Sequence, residues 1–378
     1  MDIKNDLKAE ALALGFSFLS VTDCSPPGSY PAYIEWLAQG HHAGMTYMAS
    51  DRSRIMRQNP AMLAENCRTL LIAGLPYPMI PQTAIPASQH PTGRISAYAC
   101  GKDYHTVIPS LFARLLEGRI NHSLPTDSHL TFTDSAPILE RDLGQRAGAG
   151  WIGRNTHLIR PGEGSYFFLA EALVNIDLEP EPPFTPDYCG TCQRCIQACP
   201  TGCILPNRTI NAGRCISYLT IENRAGIPRE LRSLMGNWIF GCDACQQVCP
   251  WNRFARTAMP DSALHPRLSM AFPDLLTEVQ LSPEEFRAKY QQTPILRAKH
   301  RGYLRNVVVA LGNAHDAAAT PYLANMLEHD PDSMIRAHAA WALGAIGSRA
   351  ARETLEKRLR SETDAEVIVE VKQALQAK

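Results

Sequence analysis

The sequence lacks an excess of charge of either sign, and it lacks any long hydrophobic run. Its 378 residues carry 37 Lys plus Arg and 37 Asp plus Glu, so the formal net charge is zero. A polyanionic partner would therefore have to bind at a local basic patch. The first residues, MDIKNDLKAEALALGF, interleave charged and apolar side chains, unlike a secretory signal, and no later segment approaches the length of a membrane span. We expect a cytoplasmic protein without membrane association.

Cysteine, in contrast, is abundant, with 12 residues in the chain. Disulfides are rare in a reducing compartment, so we expect these twelve cysteines not to form disulfides, and we expect the clustered ones to be metal or cluster ligands. Cys24, Cys67 and Cys100 lie apart in the sequence, and every later cysteine falls within residues 189–249.

The segment CGTCQRCIQACP, residues 189–200, has the spacing C-x2-C-x2-C-x3-C-P, by which bacterial ferredoxins hold cubane [4Fe-4S] clusters. In that arrangement the fourth cysteine ligates the other cluster, so a second motif is required. It is present as CDACQQVCP, residues 242–250, with a further cysteine upstream in NAGRCISY. The crossed pairing predicts a first cysteine set and a second cysteine set. The first is Cys189, Cys192, Cys195 and Cys249, and the second is Cys199, Cys215, Cys242 and Cys245.

Zinc is the competing interpretation of these motifs, because C-x2-C pairs also bind zinc tetrahedrally. Two C-x3-C-P endings suit crossed cubanes and have no role in a zinc ribbon, so the clusters are favoured. Cys203 is left over, and we expect it to be buried near the first motif.

Residues 1–180 mix helical and strand patterns, which is typical of an α/β or α+β domain. Apolar runs predict strands at 69–77, 95–100, 129–134 and 166–174, and helical spacing predicts helices at 3–14 and 105–118. The linker EPEPPFTP, residues 179–186, separates this domain from the cysteine-rich module at 181–255. A connecting segment, 256–299, follows, and its sequence indicates no chemistry.

Residues 300–378 contain an internal repeat. A shift of 32 residues superposes Ala310-Leu311 on Ala342-Leu343 and on Ala374-Leu375, and Gly312 on Gly344. This pattern predicts about two and a half HEAT-like units of paired helices. We expect each ALG to end a helix, with the glycine as a left-handed cap. The alternative is an ordinary helical tail.

The chain resembles the epoxyqueuosine reductases, cobalamin-dependent iron–sulfur enzymes that perform the last step of queuosine synthesis in tRNA. The resemblance rests on TFTDSAPILERDLGQRAGAGWIGRNTHLI (131–159), on the doubled cysteine motif, and on NWIFGCDACQQVCPWN (237–252). It implies an α+β multidomain fold with an α/β cobalamin-binding domain at 1–180, a ferredoxin-like module with two [4Fe-4S] clusters at 181–255, and HEAT-like helices at 300–378.

The resemblance also implies a proton donor, which falls at Asp134 after the strand pattern HLTF. An ordinary aspartate is a weak proton donor at neutral pH, so we expect a bound corrin and apolar walls to desolvate it. The alternative is that Asp134 caps a helix that begins near Pro137.

Cobalamin is implied in its base-off form, since the sequence has no D-x-H-x-x-G segment to supply a lower axial histidine. The second cysteine set would then hold the cluster nearer the cobalt. Arg57 and Cys100 have open alternatives, a surface charge and an ordinary buried thiol, and we expect a structural role for His157 rather than axial ligation. The candidate cobalamin contacts carried over from the family are Arg57, Cys100, Asp134, Asn155, His157, Leu158, Leu169, Cys242 and Asp243.

The implied substrate is a modified base in a tRNA anticodon loop, so the chain needs a basic patch despite its zero net charge. The segment LRAKHRGYLR, residues 296–305, supplies one. A solvated helix face is the alternative. The candidate tRNA contacts are Arg297, Lys299, Arg301 and Arg305, with Arg160 and Arg224 as weaker additions.

Two other functions are open at this point: a reductive dehalogenase-like reductase of small molecules, and a non-catalytic iron–sulfur electron-transfer protein. The first does not need a repeat tail, and the second leaves TFTDSAP and GRNTHLI unexplained. We expect a monomer that takes electrons from an unidentified donor.

Overall fold

The computed structural model describes residues 3–64, 66–81, 84, 87–117, 129–255 and 264–376. The strands are β1 (Phe18–Asp23), β2 (Thr69–Pro76), β3 (Arg94–Ile95), β4 (His129–Phe132), β5 (Trp151–Ile152), β6 (Leu158–Ile159), β7 (Phe167–Val174) and β8 (Trp238–Phe240). The first nine helices are α1 (Ile3–Ala13), α2 (Tyr30–Ala38), α3 (Asp51–Gln58), α4 (Tyr104–Glu117), α5 (Glu140–Arg146), α6 (Arg194–Ala198), α7 (Ile216–Ile221), α8 (Arg229–Arg232) and α9 (Ala244–Gln247). The later helices are α10 (Leu268–Ala271), α11 (Leu275–Glu278), α12 (Pro283–Lys289), α13 (Lys299–Ala314), α14 (Thr320–His329), α15 (Ser333–Ile346), α16 (Arg349–Leu359) and α17 (Ala365–Gln376).

The chain forms two compact units, each assembled from three segments. Unit 1 contains Met1–Met79, Gly101–Gly213 and Asp243–Pro266. Unit 2 contains Ile80–Cys100, Arg214–Cys242 and Arg267–Lys378. The four-part division along the sequence stays a prediction, and residues 256–263 of its connecting segment lie outside the described residues.

Unit 1 is built on a four-stranded sheet with the order β1-β2-β7-β4. Every pairing in it is antiparallel. The expectation of an α/β domain is therefore wrong, and the unit is α+β, because antiparallel neighbours do not need the helical crossovers of a parallel sheet. The two central strands, TLLIAGLP and FFLAEALV, are buried along almost their whole length, as near-continuous apolar runs predict.

Helix α5 packs on one face of this sheet. Leu143 of α5 and Ala147, which directly follows the helix, form a buried cluster with Leu70 and Ile72 of β2 and with Leu173 of β7. Helix α1 contacts β1, and α4 contacts β4 and β7. This packing fixes the point at which the chain leaves β4 and enters α5, which is where Asp134 lies.

The predicted helices at 3–14 and 105–118 and the predicted strands at 69–77, 129–134 and 166–174 are confirmed to within a few residues, although residue 118 itself lies outside the described residues. The predicted strand at 95–100 is wrong. Only Arg94–Ile95 is extended, and Ala97–Ala99 forms a 3-10 turn that the Cys100 amide closes by donating to the Ala97 carbonyl at 3.2 Å. Alanine has little preference for strands, which explains the error.

The cysteines outside the motifs also depart from expectation, because Cys24 and Cys67 are joined by a disulfide 43 residues apart in sequence. Cys24 directly follows β1, and Cys67 lies two residues before β2. The register of the two strands places Asp23 opposite Thr69. The strand pairing therefore brings these two cysteines together.

Helices α13 to α17 of unit 2 form the predicted repeat. Helix α15 packs against both α13 and α17. The expected glycine caps are wrong, since α13 and α15 continue past the ALG triplets and reach their left-handed residues at His315 and Gly347. A Cβ atom at Gly312 would lie 2.6 Å from the Trp341 ring, and one at Gly344 would lie 2.6 Å from the Ala374 side chain. The repeated glycine therefore allows neighbouring helices to approach closely.

None of the helices in the described part of the chain is both long enough and apolar enough to cross a bilayer.

Candidate active site and cluster ligands

A cavity of about 830 Å³ opens in unit 1, between α2, α3, the loop from Asp134 to Leu139, and residues 207–212. This volume is in the range of cofactor and ligand sites. Its walls combine aromatic, cationic and acidic side chains. These are Tyr33, Trp36, Tyr47, Arg52, Arg57, Arg141, Arg208, Asp134, Glu140 and Asp142.

Asp134 lies at this cavity, two residues after β4 ends. Its backbone has a φ of 54°, a left-handed conformation that is uncommon outside glycine but tolerated by aspartate. The Tyr104 hydroxyl donates to Asp134 Oδ2 at 2.8 Å, and the Asp134 amide donates to Glu140 Oε1 at 2.9 Å. The Asp134 side chain is 60% exposed, so the loop holds it in place while leaving its carboxylate accessible.

The helix-cap alternative for Asp134 is wrong. Helix α5 begins at Glu140, and the residue at the cap position is Leu139, which makes no side-chain cap hydrogen bond. Asp134 therefore lies five residues before the cap position and is not required to start the helix.

Arg57 lines the same cavity from α3. It is 8% exposed, so the alternative of an ordinary surface charge is wrong. Its guanidinium donates to Ser53 Oγ and lies over the Tyr33 ring, 5.3 Å from the ring centre. The structure thus brings Arg57 and Asp134, which are distant in sequence, to one cavity.

Two glutamates near Asp134 were missed from the sequence. Burial raises the pKa of Glu140 to about 7, and the negative charge of Asp134 contributes to the rise. Glu171, in the middle of β7, is 0% exposed. Among the described residues, neither of its carboxyl oxygens has a hydrogen-bond partner.

Burial raises the pKa of Glu171 well above its usual value, and the charges of Glu140 and Asp134 raise it further. Burial and these two charges therefore favour the neutral form of the Glu171 carboxyl. The signal that would have found it is a single acidic residue inside the otherwise apolar strand FFLAEALV.

The GRNTHLI loop reaches both places: Thr156 lines the cavity, whereas Asn155 and His157 lie beside Cys245. Asn155 Nδ2 donates to the Cys245 carbonyl at 3.5 Å, and His157 Nε2 lies 3.9 Å from Cys245 Sγ. Burial lowers the pKa of His157 to about 4, with a contribution from the positive charge of Arg141, so its imidazole is neutral at neutral pH. Leu158 is buried in the core cluster that α5 forms with the sheet, and Leu169 packs against that cluster.

The remaining cobalamin candidates are divided between the units. Asp243, in unit 1, is 3% exposed. Cys100 and Cys242 belong to unit 2. The Cys100 thiol is completely buried, with Sγ 3.5 Å from the Ser96 carbonyl oxygen.

The first cysteine set converges in unit 1. Cys189, Cys192, Cys195 and Cys249 all line one small cavity, and Trp151 Nε1 donates to Cys189 Sγ at 3.4 Å. Burial raises the pKa of Cys195 and Cys249, and the neighbouring thiols raise it further. Four thiolates this close would repel one another, so the arrangement fits a site whose cationic iron–sulfur cluster compensates their charge.

The second cysteine set is divided, with Cys199 and Cys245 in unit 1 and Cys215 and Cys242 in unit 2. A hydrogen bond from the Cys203 thiol lowers the pKa of Cys199 to about 5, against the opposing effect of burial. Cys203 is 4% exposed and its Sγ lies 3.4 Å from Cys199 Sγ, which confirms that it is buried near the first motif. Within the described ranges, no three His, Cys, Asp or Glu side chains are grouped to hold a single metal ion.

The basic segment 296–305 is only partly available to a ligand. Arg305 is wrong as a tRNA contact, because it is 0% exposed and donates to the backbone carbonyls of Leu219, Asn223 and Ala225. Arg297 and Lys299 are exposed.

Two further arginines join this region of unit 2. Arg301 pairs with Asp332 and donates to the Arg224 carbonyl at 2.7 Å, while Arg224 donates to the Ala298 carbonyl at 3.1 Å. In unit 1, Arg160 lies over the Phe18 ring and pairs with Glu163 at 3.2 Å. Its charge is therefore already compensated.

Comparison with known proteins assigns the chain to a family. Curated epoxyqueuosine reductases from Pseudomonas aeruginosa and Escherichia coli are each 38% identical to it. The first match covers 88% of this chain and 92% of the relative, and the second covers 89% and 88%. The chain belongs to the epoxyqueuosine reductase family.

Solved epoxyqueuosine reductases share the whole fold. One was crystallised with an epoxyqueuosine-modified tRNA-Tyr stem loop, and one from Bacillus subtilis has its aspartate-bearing catalytic loop swung out of the active site. Each gives a TM-score of 0.90 at 30% identity and covers 99% of this chain and 98% of its own.

Three family models match separate parts of this chain. The model "Epoxyqueuosine reductase QueG, DUF1730" matches residues 57–135, which begin at Arg57 and end just after Asp134. A "4Fe-4S double cluster binding domain" matches 188–252, and "HEAT repeats" match 293–376. The predicted iron–sulfur module and repeat tail are therefore confirmed, and the alternative of an ordinary helical tail is wrong.

Proposed function

We propose that this chain reduces epoxyqueuosine to queuosine in the anticodon loop of tRNA, with Asp134 as a proton donor. The observation that carries the proposal is the placement of Asp134. The Asp134 carboxylate is accessible at a cofactor-sized cavity and accepts a hydrogen bond from the Tyr104 hydroxyl, which orients it. The Bacillus subtilis relative, whose aspartate-bearing loop is called catalytic, supports the same role.

The reaction requires two electrons and two protons, and the epoxide oxygen leaves as water. Cobalamin, when bound, would supply the low-potential electrons. The hydrogen bond from Tyr104 keeps the Asp134 carboxyl directed at one position, and the hydrogen bond from the Asp134 amide to Glu140 ties the loop to the start of α5. A positioned acid of this kind contributes about 10²–10⁴-fold to a proton-transfer step.

The cavity residues fit cobalamin, whose rim carries amide groups that need both donors and acceptors. Arg57, Arg141 and Arg208 supply donors, and Asp134, Glu140 and Asp142 supply acceptors. Tyr33, Trp36 and Tyr47 add apolar surface for the ring. His157 lies against Cys245, which supports base-off binding without a histidine from this loop.

The two cysteine sets would hold two [4Fe-4S] clusters and relay single electrons to the cobalamin. The convergence of the first set on one cavity supports this assignment. The second set, with its members Cys199, Cys215, Cys242 and Cys245, rests on the motif spacing and on the family match over residues 188–252.

The partner would be tRNA that carries epoxyqueuosine, as in the relative solved with a modified stem loop. We assign phosphate binding to Arg297 and Lys299, with Arg224 and Arg301 beside them, because all four lie in one region of unit 2 and are exposed. Neutralising phosphates with such side chains releases counterions, so binding should weaken steeply with salt.

Charge reversal tests this surface. The double variant Arg297→Glu/Lys299→Glu should bind a modified stem loop more weakly, and the slope of log affinity against log salt should become shallower by roughly one to two. Arg349→Glu reverses an arginine that is 93% exposed elsewhere in unit 2 and should change neither quantity by as much. Equal slopes for the double variant and wild type would remove this surface from the proposal.

The reaction itself is tested by anaerobic incubation of the reconstituted protein with epoxyqueuosine-containing tRNA, cobalamin and a strong chemical reductant. Mass spectrometry of the digested nucleosides should show queuosine, and omission of cobalamin should prevent its appearance. A cobalamin-loaded, cluster-containing protein that leaves epoxyqueuosine unchanged would contradict the proposal.

A further inference from the structure

A second cavity in unit 1, of about 820 Å³, lies over the cysteine module and has no role in the proposed chemistry. We call it the outer groove. It is formed by α6, by residues 247–250 and 252–253, and by Met79. Its lining includes two arginines, Arg194 and Arg253, and no acidic residue.

The outer groove and the cavity of the first cysteine set share a wall. Arg194, Cys249 and Pro250 line both of them. Cys249 is itself one of the four cysteines that converge on the cluster cavity. A molecule seated in the outer groove would therefore be separated from this cluster site by one of the cluster's own ligands.

The surface at the outer groove is basic because the two chain segments that supply most of its lining contain arginines and no acidic residue. Residues 188–212 and 244–255 contain no Asp and no Glu. Arg194 and Arg253 are both exposed. The other module arginine within 188–212, Arg208, is paired with Asp187, so it adds little to the field at the groove.

Exposed apolar side chains accompany these arginines. Phe254 is 41% exposed and lies under the Arg253 guanidinium, 4.5 Å from it, and Met79 is 37% exposed. Tyr188, which adjoins the first motif, is 48% exposed. Arginine, methionine and aromatic residues are the types enriched at protein–protein interfaces.

We propose that the outer groove docks the electron donor, a small acidic protein that carries a low-potential one-electron centre. The inference rests on the proposed function, because only a reductase of this kind needs such a donor. Each encounter oxidises the carrier by one electron and reduces the cluster site of the first cysteine set by one electron. Two encounters supply the two electrons of the reaction, and no proton moves at the groove.

The charges explain why an acidic carrier suits this surface. Complementary charge raises the rate of encounter and orients the partners, and both effects weaken as salt screens the field. Redox partners use small interfaces that form and separate quickly. Two arginines around a shallow groove with an apolar rim match that type of contact better than they match a permanent subunit interface.

The test measures cluster reduction directly, by anaerobic stopped-flow absorption with a reduced, acidic [2Fe-2S] ferredoxin as the probe. The loss of iron–sulfur absorption reports the second-order rate constant of cluster reduction. At low salt, Arg194→Glu and Arg253→Glu should each lower this rate constant by about tenfold. The difference from wild type should shrink as salt is added. Arg114→Glu, which makes the same charge change at an exposed position of α4, is the matched control and should stay close to wild type.

A small reductant, photoreduced deazaflavin, separates docking from cluster damage, because it needs no protein interface. It should reduce wild type, Arg253→Glu and Arg114→Glu at the same rate, and their iron contents should agree, since neither Arg253 nor Arg114 lines the cluster cavity. The proposal would be overturned if Arg114→Glu slowed ferredoxin-driven reduction as much as Arg194→Glu does. It would also be overturned if both groove variants kept the wild-type rate at low salt. If the proposed function fails, deazaflavin-driven wild type will make no queuosine, whereas the cluster-reduction rates still report on docking.

Discussion

The Asp134 loop and strand β7 hold carboxyl groups under opposite conditions. Asp134 is 60% exposed, has a hydroxyl donor in Tyr104, and lies in a loop. Glu171 is 0% exposed, lies inside the sheet, and has no hydrogen-bond partner among the described residues. Glu140 stands between these extremes, since it lines the cavity and accepts from the Asp134 amide.

This difference separates the properties of the site that the protein determines alone from those that depend on a bound ligand. Burial in the sheet favours the neutral form of Glu171 whether or not a ligand is present, because an unpaired charge there would lose its hydration. The environment of Asp134 is open to solvent, so a ligand that covers the cavity would change it. The protein therefore fixes the position of the Asp134 carboxyl, whereas a bound ligand would complete its surroundings.

The largest effect should come from the exposed member of this comparison. Asp134→Asn keeps the shape and the acceptor for Tyr104 but cannot release a proton, so the single-turnover rate of queuosine formation should fall by about 10²–10⁴-fold. Asp51→Asn, an exposed aspartate at the start of α3, is the control and should keep the wild-type rate. An undiminished rate in Asp134→Asn would show that the proton comes from elsewhere.

A smaller effect is expected at Glu140. Because its pKa is raised to about 7, wild-type Glu140 gains a negative charge as the pH rises through neutrality. That charge opposes the one that Asp134 acquires on releasing its proton, so the wild-type rate should decline above pH 7, by about tenfold or less. Glu140→Gln keeps an acceptor for the Asp134 amide and should lose this inflection in the pH profile. An unchanged inflection would assign it to another group.

Local sequence signals predicted much of this arrangement. The ferredoxin spacing identified Cys189, Cys192 and Cys195, and the crossed pairing identified Cys249, because the motif itself specifies how its thiols converge. The long apolar runs predicted β2 and β7 for a similar reason, since a strand buried on both faces is apolar throughout.

Features that depend on packing between distant segments could not be predicted in this way. The ALG pattern predicted a helix cap at Gly312. In the structure a glycine is required there because the Trp341 ring packs where a Cβ atom would lie. Arg305 belongs to a basic run, yet its guanidinium donates to carbonyls 80 or more positions away in sequence. A sequence pattern gives the residue type, whereas the partner across the fold decides its role.

The smallest expected effect concerns Glu171, and it appears in stability rather than in rate. The folded-state pKa of Glu171 lies above its unfolded value, so the folded protein holds an extra proton once the pH exceeds about 4.5. The free energy of unfolding should therefore fall as pH rises from there toward the folded-state pKa, by at most about 1.4 kcal/mol per pH unit. Glu171→Gln has no proton to lose and should escape this decline.

The measurement is the thermal midpoint of the cluster-loaded protein at mildly acidic and mildly alkaline pH. Glu171→Gln and wild type should differ little at the acidic value, and the variant should gain a few degrees relative to wild type at the alkaline value. Glu35→Gln, at an exposed position of α2, should follow wild type at both. If the Glu171→Gln midpoint instead follows wild type across this range, the pKa of Glu171 is the same in the folded and unfolded states. Glu171 and Asp134 would then differ in exposure alone.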